Sequence, residues 1–156
     1  MSTFIHGGSG LTLDIGAKAH AALRRGDVIA INPVTVTAGD EGYITMAVGD
    51  LNTAIQQVTV HGVVLGSNGK DRFVTNEDIL VRIVGMVDAK CVTGTAAGEV
   101  MRLTVSDDVL TDAVAGTTAT TAYAAATRWI GVAHEANATG ADAVIRVWFN
   151  GMGYFA

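Results

Sequence analysis

The chain has 156 residues, enough for one domain with a substantial core or for two small domains sharing one. Charged residues make up 16% and hydrophobic residues 49%, against about 25% charged in ordinary soluble domains, so part of the outer surface is expected to lie against other chains. The net charge is −5 and the ten basic residues are scattered, which does not offer the concentrated positive surface that DNA or RNA binding requires. No apolar run approaches the roughly 18 residues of a membrane-spanning helix, so no membrane partner is expected.

The opening residues, Met1 to Gly7, lack the basic and apolar regions of a signal peptide. Cys91 stands alone, which removes any intrachain disulfide framework and fits folding in a cytosol. Residues 1–18 read as an extended N-terminal arm carrying Gly7-Gly8-Ser9-Gly10. Its apolar residues Phe4, Ile5, Leu11 and Leu13 are candidates for gripping a neighbour, and a frayed terminus is the alternative. A short helix is expected at Ala17–Arg24. Strands are expected at Tyr43–Val48, Val58–Leu65, Leu80–Val84, Met101–Val105, Arg128–His134 and Val144–Phe149. Gly39-Asp40-Glu41-Gly42 and Ser67-Asn68-Gly69-Lys70 carry turn chemistry, and the Ala- and Thr-rich stretch Ala113–Thr127 reads as an extended loop.

Three pieces of the chain recur in the same order. Gly26-Asp27-Val28-Ile29-Ala30-Ile31 parallels Gly98-Glu99-Val100-Met101-Arg102-Leu103, and Gly62-Val63-Val64-Leu65 parallels Gly131-Val132-Ala133-His134. Asp78-Ile79-Leu80-Val81-Arg82-Ile83-Val84, followed by Gly85-Met86, parallels Asp142-Ala143-Val144-Ile145-Arg146-Val147-Trp148, with Gly151-Met152 after two extra residues. Gly26 and Gly98 stand 72 residues apart, Gly62 and Gly131 stand 69 apart, and Asp78 and Asp142 stand 64 apart. The copies therefore differ in loop length. They span about 19–86 and 91–152, within a β domain covering 19–156. The expected fold is all-β, a β-barrel or β-sandwich built from this tandem repeat.

Strand alternation puts Ile145, Val147 and Phe149 on one face and Val144, Arg146 and Trp148 on the other. The first copy sets Val81 and Ile83 against Leu80, Arg82 and Val84. An Arg between large apolar groups suits neither open water nor a dry core. That face is expected to be covered by a second sheet or a neighbouring subunit, with the Arg paired to a carboxylate.

No stretch assembles an active site, and no enzyme activity, metal or cofactor is expected. His134-Glu135-Ala136-Asn137-Ala138 begins like a zinc-protease helix but lacks the second His, so a solvated strand end is the better reading. Gly66-Ser67-Asn68-Gly69-Lys70-Asp71 has Val64 and Asp71 where a phosphate loop needs Gly and Ser or Thr, and a hairpin turn accounts for its glycines. Ser9 and Ser67 lack the flanking glycines of a nucleophile elbow. Ser106-Asp107-Asp108 and Asp112 lack the ligand spacing of a calcium loop. Cys91 reads as a buried small hydrophobe. Asn137-Ala138-Thr139 matches a glycosylation sequon and reads as a loop. Trp129, Trp148, Phe149, Tyr154 and Phe155 gather toward the C-terminus. A glycan-binding platform could use them, but core or interface packing explains them more simply.

The Gly-Asp-Val-Ile-Ala-Ile and Gly-Glu-Val-Met-Arg-Leu pieces, Ile130-Gly131-Val132-Ala133, the Val-Ile-Arg-Val ending and the Gly-, Ala-, Thr- and Val-rich, proline-poor composition resemble the decoration, or cement, proteins of tailed-phage capsids. The resemblance covers most of 19–152. It implies a β body without catalytic residues, made in a bacterial cytoplasm and assembled as a trimer. That body sits on the outside of the virion capsid and bridges subunits of the major capsid protein. On this reading the interface residues are Phe4, Ile5, Leu11, Leu13, Arg82, Arg146, Trp148, Tyr154 and Phe155. The alternatives are another virion component, such as a tail tube or head fibre, and a glycan-binding adhesin module.

Overall fold

The computed structural model describes residues 12–32, 42–46, 60–66, 69–103, 110–112 and 129–152. All regular structure among these residues is β. The organising element is β7 (Asp78–Cys91), whose 14 residues alternate without a break between outward and buried positions. Ile79, Val81, Ile83, Val87, Ala89 and Cys91 are all buried on the same face. That strict period of two specifies a strand with one dry face over its whole length. Left-handed turn residues bracket it, Asn76 (φ 68°) before and Gly94 (φ 81°) after.

The other strands are β1 (Leu13–Lys18), β2 (Leu23–Arg24), β3 (Val28–Asn32), β4 (Tyr43–Met46), β5 (His61–Val64), β6 (Arg72–Phe73), β8 (Val100–Leu103), β9 (Leu110–Asp112), β10 (Trp129–Ala133) and β11 (Ala143–Asn150). Nine of the eleven form one sheet in the order β1-β4-β3-β5-β7-β11-β10-β8-β9, and β2 pairs with β6 separately. Two additional pairings, β1 with β7 and β7 with β9, close this sheet into two rings that share β7. Ring one is β1, β4, β3, β5 and the first half of β7. Ring two is the second half of β7, β9, β8, β10 and β11.

The two rings repeat one pairing scheme residue by residue. Val28 faces Val63 and Ile29 faces Gly62 in ring one. Val100 faces Val132 and Met101 faces Gly131 in ring two. Both rings close through a parallel contact, β1 with β4 in the first and β7 with β9 in the second. The third recurring piece sits two residues away from where the sequence match put it. Val63 faces Arg82, whereas Val132 faces Trp148 and not Arg146. Trp148 is therefore the counterpart of Arg82, and the Gly85-Met86 and Gly151-Met152 match is the one that sets the register. A slide of two residues keeps every buried side chain buried, so hydrophobic pattern cannot detect it.

Two further expectations are corrected. The stretch Ala17–Arg24 contains no helix; it is the end of β1, a turn and β2. The end of the expected arm, Leu13–Lys18, is β1, held by β7 in an antiparallel ladder from Lys18↔Asp78 to Leu13↔Val84. Residues 1–11 of the arm, with Phe4, Ile5 and Leu11, lie outside the described residues, as do Tyr154, Phe155 and the expected loop at 113–127.

Each ring has its own core. Ala17, Ile29, Ile31, Val64, Ile79, Val81 and Ile83 fill the first, joined by Leu23 and Phe73 of the β2–β6 pair. Val87, Ala89, Cys91, Met101, Ile130, Ile145, Val147 and Phe149 fill the second. Val28 and Val63 belong to the second core although their strands are in the first ring. Strands β3 and β5 are consequently buried on both faces. Their sequences, Val28-Ile29-Ala30-Ile31 and His61-Gly62-Val63-Val64, lack the polar alternation of a one-sided strand.

Val84 is the switch point, paired with Leu13 of β1 and with Asn150 of β11. The next residue, Gly85, has φ 127°, a backbone state that side chains with a Cβ avoid. Gly85→Ala is expected to destabilise the protein by about 1–3 kcal/mol. Gly16→Ala, on adjacent β1 with nothing within 4 Å of the added Cβ, is expected to be neutral or slightly stabilising. Urea denaturation of the two variants side by side measures the difference.

Candidate functional site

With its odd-numbered residues committed to the cores, β7 presents Asp78, Leu80, Arg82, Val84, Met86, Asp88 and Lys90 to the outside. Strand β1 sets Lys18, Gly16 and Asp14 opposite Asp78, Leu80 and Arg82. Strand β11 sets Asn150, Trp148, Arg146 and Val144 opposite Val84, Met86, Asp88 and Lys90. The outcome is one continuous outer face along both rings.

Cross-strand ion pairs tie this face together. Arg82 donates from Nε and Nη2 to the two carboxylate oxygens of Asp14 at 2.8 and 3.0 Å, and from Nη1 to the carbonyl of Met86 at 2.7 Å. Asp14 raises the Arg82 pKa further above its ordinary value, against the smaller opposing effect of burial. Asp88 serves two cations at once, Arg146 on Oδ1 at 2.8 Å and Arg25 of the β2–β3 turn on Oδ2 at 2.6 Å. Lys18 pairs with Asp78 at 2.9 Å in a more exposed position. Lys70 pairs with Glu77, lies 5.6 Å from the Phe73 ring centre, and is the first cause holding the Glu77 carboxyl below its usual range.

Arg82, Met86, Asp88 and Arg146 form the floor of a cleft of about 370 Å³, walled by Arg25 and by Gly66, Gly69 and Asp71 of the β5–β6 connection. The two arginines singled out from sequence thus meet in one place, and both are paired to carboxylates. Sequence reasoning missed the partners Asp14 and Asp88. No spacing rule links Asp14 to Arg82 across 68 residues. The expected cover over this face is not supplied within the described chain, since the Arg146 side chain is 48% exposed and Val144 is 46% exposed.

Other candidates fall into structural roles. Phe149 is buried in the second core, while Trp148 is half-buried on the outside against Met86, so the two do not share a ring platform. His134 and Glu135 lie in the turn after β10, where Glu135 accepts the Arg146 backbone N–H. Asn137 is 2% exposed and donates to the carbonyls of Cys91, Val92 and Ala141. The sequon therefore marks a buried loop clasp. Among the described residues no group of three or more His, Cys, Asp or Glu could hold a metal ion.

No family model matches the chain, and no curated protein matches it. Its fold does have a relative among solved structures. The N base of the head fibre gp8.5 of bacteriophage phi29 is similar, with a TM-score of 0.53 and 10% sequence identity, over 94% of this chain and 99% of that one.

The ion pairs should differ in worth according to exposure. Asp14→Ala is expected to cost about 1–2 kcal/mol, because a bidentate pair on a half-buried surface is lost and Arg82 is stranded. Asp78→Ala, at an exposed pair, should cost no more than about 0.5 kcal/mol. A double-mutant cycle with Arg82, read by urea denaturation, isolates the first coupling. Separately, burial pushes the Cys91 thiol up to about 12, leaving almost no thiolate in the folded state at pH 8. Thiol labelling at that pH should track unfolding, slow in water and complete within the urea transition.

Proposed function

We propose that this chain is a structural component of a phage particle that binds the outside of the assembled head and stabilises it by bridging subunits of the major capsid protein. The observation that carries this reading is the likeness of the double-ring fold to a head-fibre base along nearly the full length of both chains. The composition supports it: few charges, a net charge of −5 and no basic stripe suit contact with protein over contact with nucleic acid. The outer face of β7, with paired charges beside Leu80, Val84, Met86 and Trp148, has the mixed chemistry of a protein-binding surface.

The physical mechanism is linkage. A bridging protein that contacts two shell subunits adds its binding free energy to the assembled shell alone. At a free concentration one hundred times its Kd, each occupied site stabilises the shell by about 2.7 kcal/mol. The arm residues Phe4, Ile5 and Leu11 are the proposed reach to a neighbouring subunit, and β1 marks where the tether must end.

A second reading keeps the virion and changes the role. On the strength of the same fold likeness, the chain is the base of a head fibre, anchoring a projecting part instead of cementing the shell.

Heads purified without this protein, then incubated with it, test both. Cement function requires the protein to bind and the heat-induced release of DNA to move to higher temperature. Deleting residues 2–11, which leaves β1 whole, should weaken binding without altering the unfolding of the free protein. Binding with unchanged release temperature, and a projecting density in electron cryo-microscopy, selects the fibre base. Density on tails alone sinks both.

A further inference from the structure

The cleft between the β2–β3 turn and the outer face of β7 holds more positive charge than its ion pairs consume. Arg82 is neutralised by Asp14, which accepts from two of its nitrogens. Arg25 and Arg146 have one carboxylate between them, Asp88, which pairs with each through a different oxygen. One positive charge is left over at that point. Among the described residues, only Nη2 of Arg25 and Nε of Arg146 are engaged. Both side chains are 48% exposed, so their remaining N–H groups are within reach of a ligand in the cleft they line.

Both cations are held in place before any ligand arrives. The Arg25 N–H donates to the Asp71 carbonyl at 2.9 Å. The neighbouring Gly26 is tied on both sides, donating to the Val64 carbonyl at 2.9 Å and accepting from the Lys90 N–H at 2.8 Å. Gly66 lies so close to the Arg25 stem that a Cβ there would stand 3.1 Å from Cδ. Arg146 is set opposite Asp88 by the β11–β7 register, and its backbone N–H donates to Glu135 at 3.1 Å. Two guanidinium groups fixed on one carboxylate keep donor forks free beside each other, and forks of that kind match a second carboxylate.

We infer that this cleft is a binding site for the carboxylate of an acidic side chain on a protein partner, bridging Arg25 and Arg146 as Asp88 does. The rest of the lining selects among anions. Leu65 and Met86 offer apolar contact to the methylenes of a glutamate. Asp71, exposed on the wall, opposes a ligand with more than one negative charge, and the net charge of −5 repels a polyanion such as a nucleic-acid backbone. At about 370 Å³ the cleft is near the low end of ligand pockets, with room for one side chain. That the partner is a shell subunit rests on the proposed role at the phage head; the site itself does not.

Two measurements test it. In the first, the arginine Nε–H signals of the full chain are followed by NMR during titration with N-acetylglutamate α-amide, which carries one side-chain carboxylate. The Arg25 and Arg146 signals should shift saturably at millimolar concentration. The neutral glutamine isostere should shift neither, and inorganic phosphate should bind more weakly. Arg25→Gln and Arg146→Gln should each weaken binding about tenfold, read on the arginine that remains, with circular dichroism unchanged. Arg72→Gln, which removes an exposed cation on β6 outside the cleft, should leave it as in wild type. In the second, heads purified without this protein should bind each of the two cleft variants about tenfold more weakly than wild type. The absence of a saturable shift with the glutamate analogue, or tighter binding of phosphate, overturns the inference. So does equal binding of heads by wild type and both variants. If wild type fails to bind heads while the glutamate analogue still binds, the role at the head fails and the carboxylate site stands.

Discussion

Everything in this fold depends on the uninterrupted alternation of β7. One strand supplies three core residues to ring one, Ile79, Val81 and Ile83, and three to ring two, Val87, Ala89 and Cys91, all from the same face. Fully burying a Val or Ile side chain is worth about 1.5–3 kcal/mol, so Ile79, Val81 and Ile83 contribute on the order of several kcal/mol to ring one's core, while ring two receives one Val beside the smaller Ala89 and Cys91. The rings cannot be separated without cutting a strand that both require. The Gly85 backbone lets that strand leave one ring and enter the other while keeping its buried face toward both interiors.

The same constraint produces the outer surface. Once alternate residues face inward, the others must face out, and charged residues among them need partners that the ladder can place opposite. Asp14 is brought to Arg82 and Asp88 to Arg146 by strand register alone. Arg25, which is in no ladder, reaches the second oxygen of Asp88 from the β2–β3 turn and ties ring one's turn to ring two's strand. Further bonds reinforce that junction, from the Lys90 N–H to the Gly26 carbonyl and from the Gly151 N–H to the Ile83 carbonyl. The surface is thus a by-product of core formation, and its chemistry is decided by which residues the register sets side by side.

How far the sequence conveyed this depended on which physical signal each element carried. The all-β class and the existence of six strands were legible from β-branched runs bounded by Gly and Asp. The tandem repeat was legible because three pieces recur in the same order in both copies. Strand β1 was hidden, since Asp14, Gly16, Ala17 and Lys18 have weak β propensity and β7, its antiparallel partner, is 60 or more residues away. The full length of β7 was hidden behind Gly85-Met86, which reads as a boundary although the strand passes through it. That each Arg on the outer face would have a carboxylate was foreseeable from the cost of leaving it unpaired, but which carboxylate was not. The rule that a hydrophobic pattern fixes register also met its limit here, because a slide of two residues put Trp148 and not Arg146 in the place of Arg82 and left every buried position unchanged.

Closing the nine-stranded sheet on itself has a consequence for life at high density. An open sheet ends in strands whose unpaired N–H and C=O groups recruit the edges of other molecules, and accretion of that kind grows without limit. Here β1, the first strand in the sheet order, is capped by β7, and β9, the last, reaches β7 as well. Neither end of the nine-stranded sheet is then left to recruit the edge of another molecule, and contacts made there fall to side chains, whose specificity is finite and whose assemblies can stop at a definite size.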